Sequence, residues 1–125
     1  MSDLIDSLGE LLEKELGVRY AGQEPQDKSD LDGQLVVLER IGGTGEALGR
    51  SDHPWIQFTA LAHTKKRASD LLRDVRALVL RPRTKLGPFF IYTVGEALAP
   101  ENATAQRDPF YRYRTTFEFH VKGLA

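Results

Sequence analysis

The clearest pattern in the chain runs from His53 to Leu80, where the spacing of apolar positions changes once. Ile56, Phe58, Ala60 and Ala62 fall on one side, and Gln57, Thr59 and His63 on the other. A period of two predicts a half-buried strand. Beyond Thr64 the apolar residues Ala68, Leu71, Leu72, Val75, Leu78 and Val79 recur at three and four, which is one stripe of a helix. Lys65, Lys66, Arg67, Asp70, Arg73, Asp74 and Arg76 take its wet side. Thr64 stands at the change of period, where its hydroxyl can accept from a free N–H of the first turn. The stretch therefore reads as a strand running directly into an amphipathic helix.

The same reasoning orders the rest. Leu4, Ile5, Leu8, Leu11, Leu12 and Leu16 form the stripe of a first helix, with Ser2 or Asp3 placed to cap it and Gly17 to end it. Val18–Tyr20 is a short extended candidate, and the polar Gly22–Gly33 segment is a loop. Gln34–Ile41 is β-rich and apolar on both faces at its centre. Gly42–Asp52 reads as a long hairpin-like loop between antiparallel strands. Arg81–Pro88 is a basic, proline-bounded turn, Phe89–Leu98 a strand with Gly95 as a candidate bulge, and Pro100–Pro109 a polar loop. Phe110–Lys122 alternates most cleanly: Tyr111, Tyr113, Thr115, Phe117, Phe119 and Val121 on one face, Arg112, Arg114, Thr116, Glu118, His120 and Lys122 on the other. The expected fold is α+β: one domain over 1–125, a mostly antiparallel sheet of about four strands, and two helices packed on one face.

Composition narrows the class. At 125 residues, 41% hydrophobic and 28% charged, the chain suits a single soluble core. No apolar run approaches the roughly 20 residues that cross a bilayer, so no membrane partner is expected, and no secretory signal is visible. The absence of cysteine excludes disulfides and thiolate metal sites. Net charge is −1 but uneven: −6 over 1–32, −1 over 33–62 and +6 over 63–125. Two solvated faces are the ordinary explanation. The sharper one is that the acidic part of one copy meets the basic part of the next, a head-to-tail contact that makes rings or filaments. Sequence-specific nucleic-acid binding is not expected of a chain that is not basic overall.

Candidate chemistry is sparse. Gly42–Asp52 fails as a P-loop, since Thr44 stands at the first glycine and Arg50 at the lysine. It fails as a dinucleotide fingerprint because Leu48 replaces the third glycine. His53, His63 and His120 have no metal-ligand spacing, and no serine elbow is present. Glu96 and Glu118 could be cross-strand neighbours, with an exposed ion pair to Arg114 as the default. In Phe110–Arg114 the tyrosines and arginines point oppositely in a strand, so core tyrosines with an outward arginine pair are expected rather than a stacking surface for single-stranded nucleic acid. Trp55 is either second-side packing or an interface anchor. Catalytic, cofactor and metal residues are therefore expected to be none. The candidate interface residues are Gly45, Glu46, Arg50, Trp55, Arg107, Arg112 and Arg114.

An amphipathic N-terminal helix, a strand pair joined by a long Gly-rich loop, a strand running into AHTKKRASDLLRDVRAL and a final strand RYRTTFEFHVKG together resemble the tail terminator (minor tail, or tail completion) proteins of long-tailed phages. The resemblance covers nearly the whole chain in element order and texture. It implies a virion protein of the tail, assembled in the host cytoplasm, that forms a six-membered ring on the finished tail tube. Such a ring stops tube polymerisation, offers the head connector or completion protein a joining surface, and leaves an opening for genome DNA. Its partners would be itself, the tail tube protein and the head connector, with no reaction and no cofactor. Head-completion (neck) proteins of the same particle share the texture and remain an alternative, as does a small ligand-binding module.

Overall fold

The protein is described by a computed structural model covering residues 4–24, 33–45, 52–104 and 110–123. In chain order the elements are α1 (Leu4–Leu16), β1 (Tyr20–Ala21), β2 (Gln34–Gly45), β3 (Asp52–Ala62), α2 (Lys65–Val79), β4 (Lys85–Leu86), β5 (Phe89–Asn102) and β6 (Tyr111–Gly123). The change of period at Thr64 marks a real boundary. Thr64 is extended, and its Oγ1 accepts the Arg67 N–H at 3.2 Å. Gly17 ends α1 as expected, with φ 66° and its N–H donated to the Glu13 carbonyl at 3.0 Å. The cap expected at Ser2 or Asp3 lies outside the described residues.

The sheet departs from expectation. It is one curled sheet of six strands in the order β1-β2-β3-β6-β5-β4, not four antiparallel strands. β1 pairs with β2 in parallel, Tyr20 against Val36 and Ala21 against Val37, and every other pair is antiparallel. The discrepancy has a physical origin. β1 and β4 are two residues each, too short to impose any periodicity. The twelve-residue connection from β1 to β2 is long enough for the crossover that a parallel pair needs. The strands also run further into the expected loops. The β2–β3 ladder continues to Gly45 opposite Asp52, and β5 continues through Pro100 to Asn102. Gly95 is not a bulge, being in register with Glu118. The irregularities of β5 fall at Tyr92, at Ala97 and around Ala99–Pro100.

Both helices bury their stripes on the same face of the sheet. Leu8 and Leu12 of α1 and Leu72 and Val75 of α2 meet Val36, Leu38, Ile56, Phe58, Phe117 and Phe119 in one core. Phe58 and Phe117 pack edge to face with centroids 5.5 Å apart. α1 approaches closely because Gly9 has no side chain: a Cβ there would lie 2.2 Å from the Tyr20 ring. The double-sided apolar run in β2 also has its explanation. Val36 and Leu38 face the helices, while Leu35 and Val37 join Leu61 and Phe110 in a second, smaller core on the opposite face.

Candidate interaction surface

The face of the sheet away from the helices divides into two parts. At one end lies the small core of Leu35, Val37, Leu61 and Phe110, with the His63 ring stacked on Phe110 at 4.6 Å. Arg112 belongs to this end. Its side chain is 11% exposed, its Nε and Nη2 donate to the two carboxylate oxygens of Glu24 at 2.6 and 2.9 Å, and its Nη1 donates to the Phe110 carbonyl at 3.2 Å. The Arg112 backbone is tied down as well, its N–H donating to Thr104 Oγ1 at 2.8 Å. The outward arginine pair expected from alternation is thus split. Arg112 points to the expected face but is covered there, its guanidinium held by the Glu24 carboxylate. Tyr111, expected in the core, is exposed. Arg114 does reach solvent, where its Nε donates to Glu101 Oε1 at 2.5 Å across the β5–β6 hairpin.

At the other end an aromatic and histidine strip crosses three strands. Phe90 and Tyr92 of β5 lie 5.4 Å apart, Tyr92 stands 4.6 Å from His120 of β6, and His120 stacks on His53 of β3 at 4.1 Å. Phe90 and Tyr92 are exposed, and Trp55, further along β3, is half-buried. No periodicity could reveal this strip, since it depends on which strands are neighbours. Among the described residues no group of three or more His, Asp or Glu side chains could hold a metal ion.

Glu96 and Glu118 are not a carboxylate pair. Glu96 is level with Phe117 and faces the helices, whereas Glu118 is level with Gly95 and exposed on the far face. Glu96 instead receives Arg76 of α2 through two bonds of 2.7 and 2.9 Å, with the Thr115 hydroxyl 2.7 Å from the same carboxylate. The hydrogen bond from Arg76 holds the Glu96 carboxyl below the usual range. Thr115 helps and partial burial opposes. This pair clamps α2 to β5.

Of the candidate interface residues, Glu46, Arg50 and Arg107 lie outside the described residues, and Gly45 ends the β2 ladder. Trp55 and Arg114 share the open face, on β3 and β6, while Arg112 is committed to Glu24. An apolar pocket of about 240 Å³ opens on the helix side between Leu4, Ile5, Ile56, Phe89 and Val121, with Arg40 at its wall. The sequence offered no sign of it.

No protein-family description matches the chain, and no curated protein matches it. Its fold does match solved structures. One chain from the virion of a native gene transfer agent (GTA) particle superposes with a TM-score of 0.64 over 98% of this chain and 87% of that one, at 16% identity. At that identity the two share a fold.

Proposed function

We propose that the protein is a structural component of a phage-like particle, and that its copies form a ring capping the tail tube. In this reading the ring ends tube growth and presents the joining surface to the head. The observation that carries the reading is the fold held in common, over nearly the whole chain, with a chain of a gene transfer agent virion. The tail-capping role follows from the resemblance of the sequence to tail terminators. The opposite charges of residues 1–32 and 63–125 suit head-to-tail contact. The protein performs no reaction here and holds no cofactor, and its partners are further copies of itself, the tail tube protein and the head connector.

The test is negative-stain microscopy of the pure protein over a concentration series, then with tail-tube protein added. Closed rings with an open centre, seated at tube ends and preventing further growth, are the expected result. Tubes that keep growing, with no density at their ends, would refute the capping role. Rings that join the head connector but ignore tubes would move the protein to the neck.

A further inference from the structure

The described strands cover both edges of the sheet only in part. β1 covers β2 at Val36 and Val37 alone, and no other described strand lies against β2 from Leu38 to Gly45. β4 covers β5 at Phe89 and Phe90, with the Ile91 N–H donated to the Thr84 carbonyl at 2.9 Å. From Tyr92 to Asn102 no described strand lies outside β5. A long open edge carries a row of outward N–H and C=O groups and is a template for another strand.

The two open stretches stand at the same level of the sheet. Followed across the ladders, Glu39 is level with Gln57, Thr116 and Leu98. Arg40 is level with Ile56, Phe117 and Glu96, and Gly42 with Trp55, Glu118 and Gly95. β1 closes the sheet on one side of these rows, at the level of Val36 and Val37. β4 closes it on the other, at the level of Lys122 and Gly123. β1 stands level with Glu101 and Asn102 of β5, and β4 with the far end of the sheet, so neither short strand covers the rows of Glu39, Arg40 and Gly42. Strand direction alternates through β2, β3, β6 and β5, so β5 runs antiparallel to β2. Three exposed large hydrophobics lie on these stretches: Ile41 at 45% on β2, and Tyr92 and Leu98, at 49 and 52%, on β5.

We propose that copies of the chain join edge to edge, the Tyr92–Leu98 stretch of β5 pairing antiparallel with β2 of the next copy so that Leu98 stands opposite its Glu39. The proposal rests on the ring reading above and supplies its joint. Two different edges meet, so the contact repeats head to tail, and the curl of the sheet turns the repeat toward closure. The irregularities support selectivity. Bulges keep a flat strand from pairing indiscriminately, and β2 carries its own kink at Ile41, close to the level of the Ala97 kink. Pro100, which has no N–H, ends the pairing just past Leu98.

The chain has no cysteine, so engineered thiols report only the intended contact. Opposed residues of an antiparallel pair have Cα atoms about 5 Å apart, within disulfide range. Glu39 and Leu98 are both exposed, so replacing them should leave the fold intact. Under mild oxidation in the presence of tail-tube protein, Glu39→Cys/Leu98→Cys is expected to give a ladder of cross-linked multimers. An equimolar mixture of the two single variants should stop at dimers, and each single variant alone should stay uncross-linked. Rings seen by microscopy without a ladder would overturn the edge joint and leave the ring standing. A ladder without rings would uphold the joint and count against the ring. Neither ladder nor rings would overturn both.

Discussion

The contact between Glu24 and Arg112 makes a sharp prediction about stability, because it contradicts the view of Arg112 as a free surface charge. Replacing Glu24 with Ala leaves a guanidinium that is 11% exposed without its bidentate acceptor. Breaking a buried pair from one side costs about 3–5 kcal/mol. Two features reduce that figure here. Glu24 is 37% exposed, so water already screens part of the attraction. The Phe110 carbonyl also still accepts from Arg112 Nη1 at 3.2 Å. A loss of about 2 kcal/mol remains, which for a chain of this size lowers Tm by about 8 °C. The internal control is Arg114 with Glu101, whose side chains are 44 and 56% exposed. Removing Glu101 should cost about 0.5 kcal/mol, and high salt should erase even that. The assay is urea denaturation followed by circular dichroism on Glu24→Ala, Arg112→Met, the double variant and Glu101→Ala. The Glu24–Arg112 cycle should return a coupling of about 1.5 kcal/mol or more. A Glu24→Ala variant as stable as the parent, or a cycle no larger than the control, would refute the buried-pair reasoning and return Arg112 to the candidate interface.

Three further outcomes follow from the packing. Gly9→Ala, which in an exposed helix would stabilise by about 1 kcal/mol, should here destabilise by about 1–3 kcal/mol, because its Cβ meets the Tyr20 ring; a thermal melt reads the sign, and Gly9→Ala/Tyr20→Ala should lose less than the two single effects combined. Ser7→Ala should be neutral or raise Tm by a few degrees, since Ser7 Oγ is buried with no hydrogen-bond partner among the described residues; a clear drop would mean the hydroxyl is satisfied in solution. Glu96 has a depressed folded pKa, so near pH 4 the unfolded state binds more of its proton than the native state does, and stability rises with pH there. Its contribution should be complete above about pH 4.3 and fade as pH falls through the folded value, and Glu96→Gln should flatten that part of the stability–pH curve.

Much of the fold could be read from local patterns. α1, α2, the Thr64 cap of α2 and the Gly17 stop of α1 follow from stripes and single residues, and the long strands β2, β3, β5 and β6 from alternation. The ends of these strands are less legible. β2 and β5 continue through Gly42–Gly45 and Pro100–Asn102, where glycine and proline normally signal a turn, because the hairpin partner supplies hydrogen bonds whatever the side chain. The interface candidates fared unevenly for a related reason. Alternation assigns Arg112 and Arg114 to one face, which is correct, but it cannot tell that Glu24, 88 residues earlier, covers one of them and not the other.

By itself the sequence determined the type of each long element and which side of it is apolar, because those depend on spacings of two, three and four residues within one segment. It also determined that no thiol chemistry is possible and that opposite charge gathers at the two ends of the chain. Only the tertiary structure decided the strand order, the parallel β1–β2 pair and the aromatic strip through His53, His120 and Tyr92. It alone turned Glu96 to the helix side and left two sheet edges without a described strand at one level. Each of these depends on which strand lies beside which. Loop closure and the packing of the whole core select that pairing, and no local spacing records it.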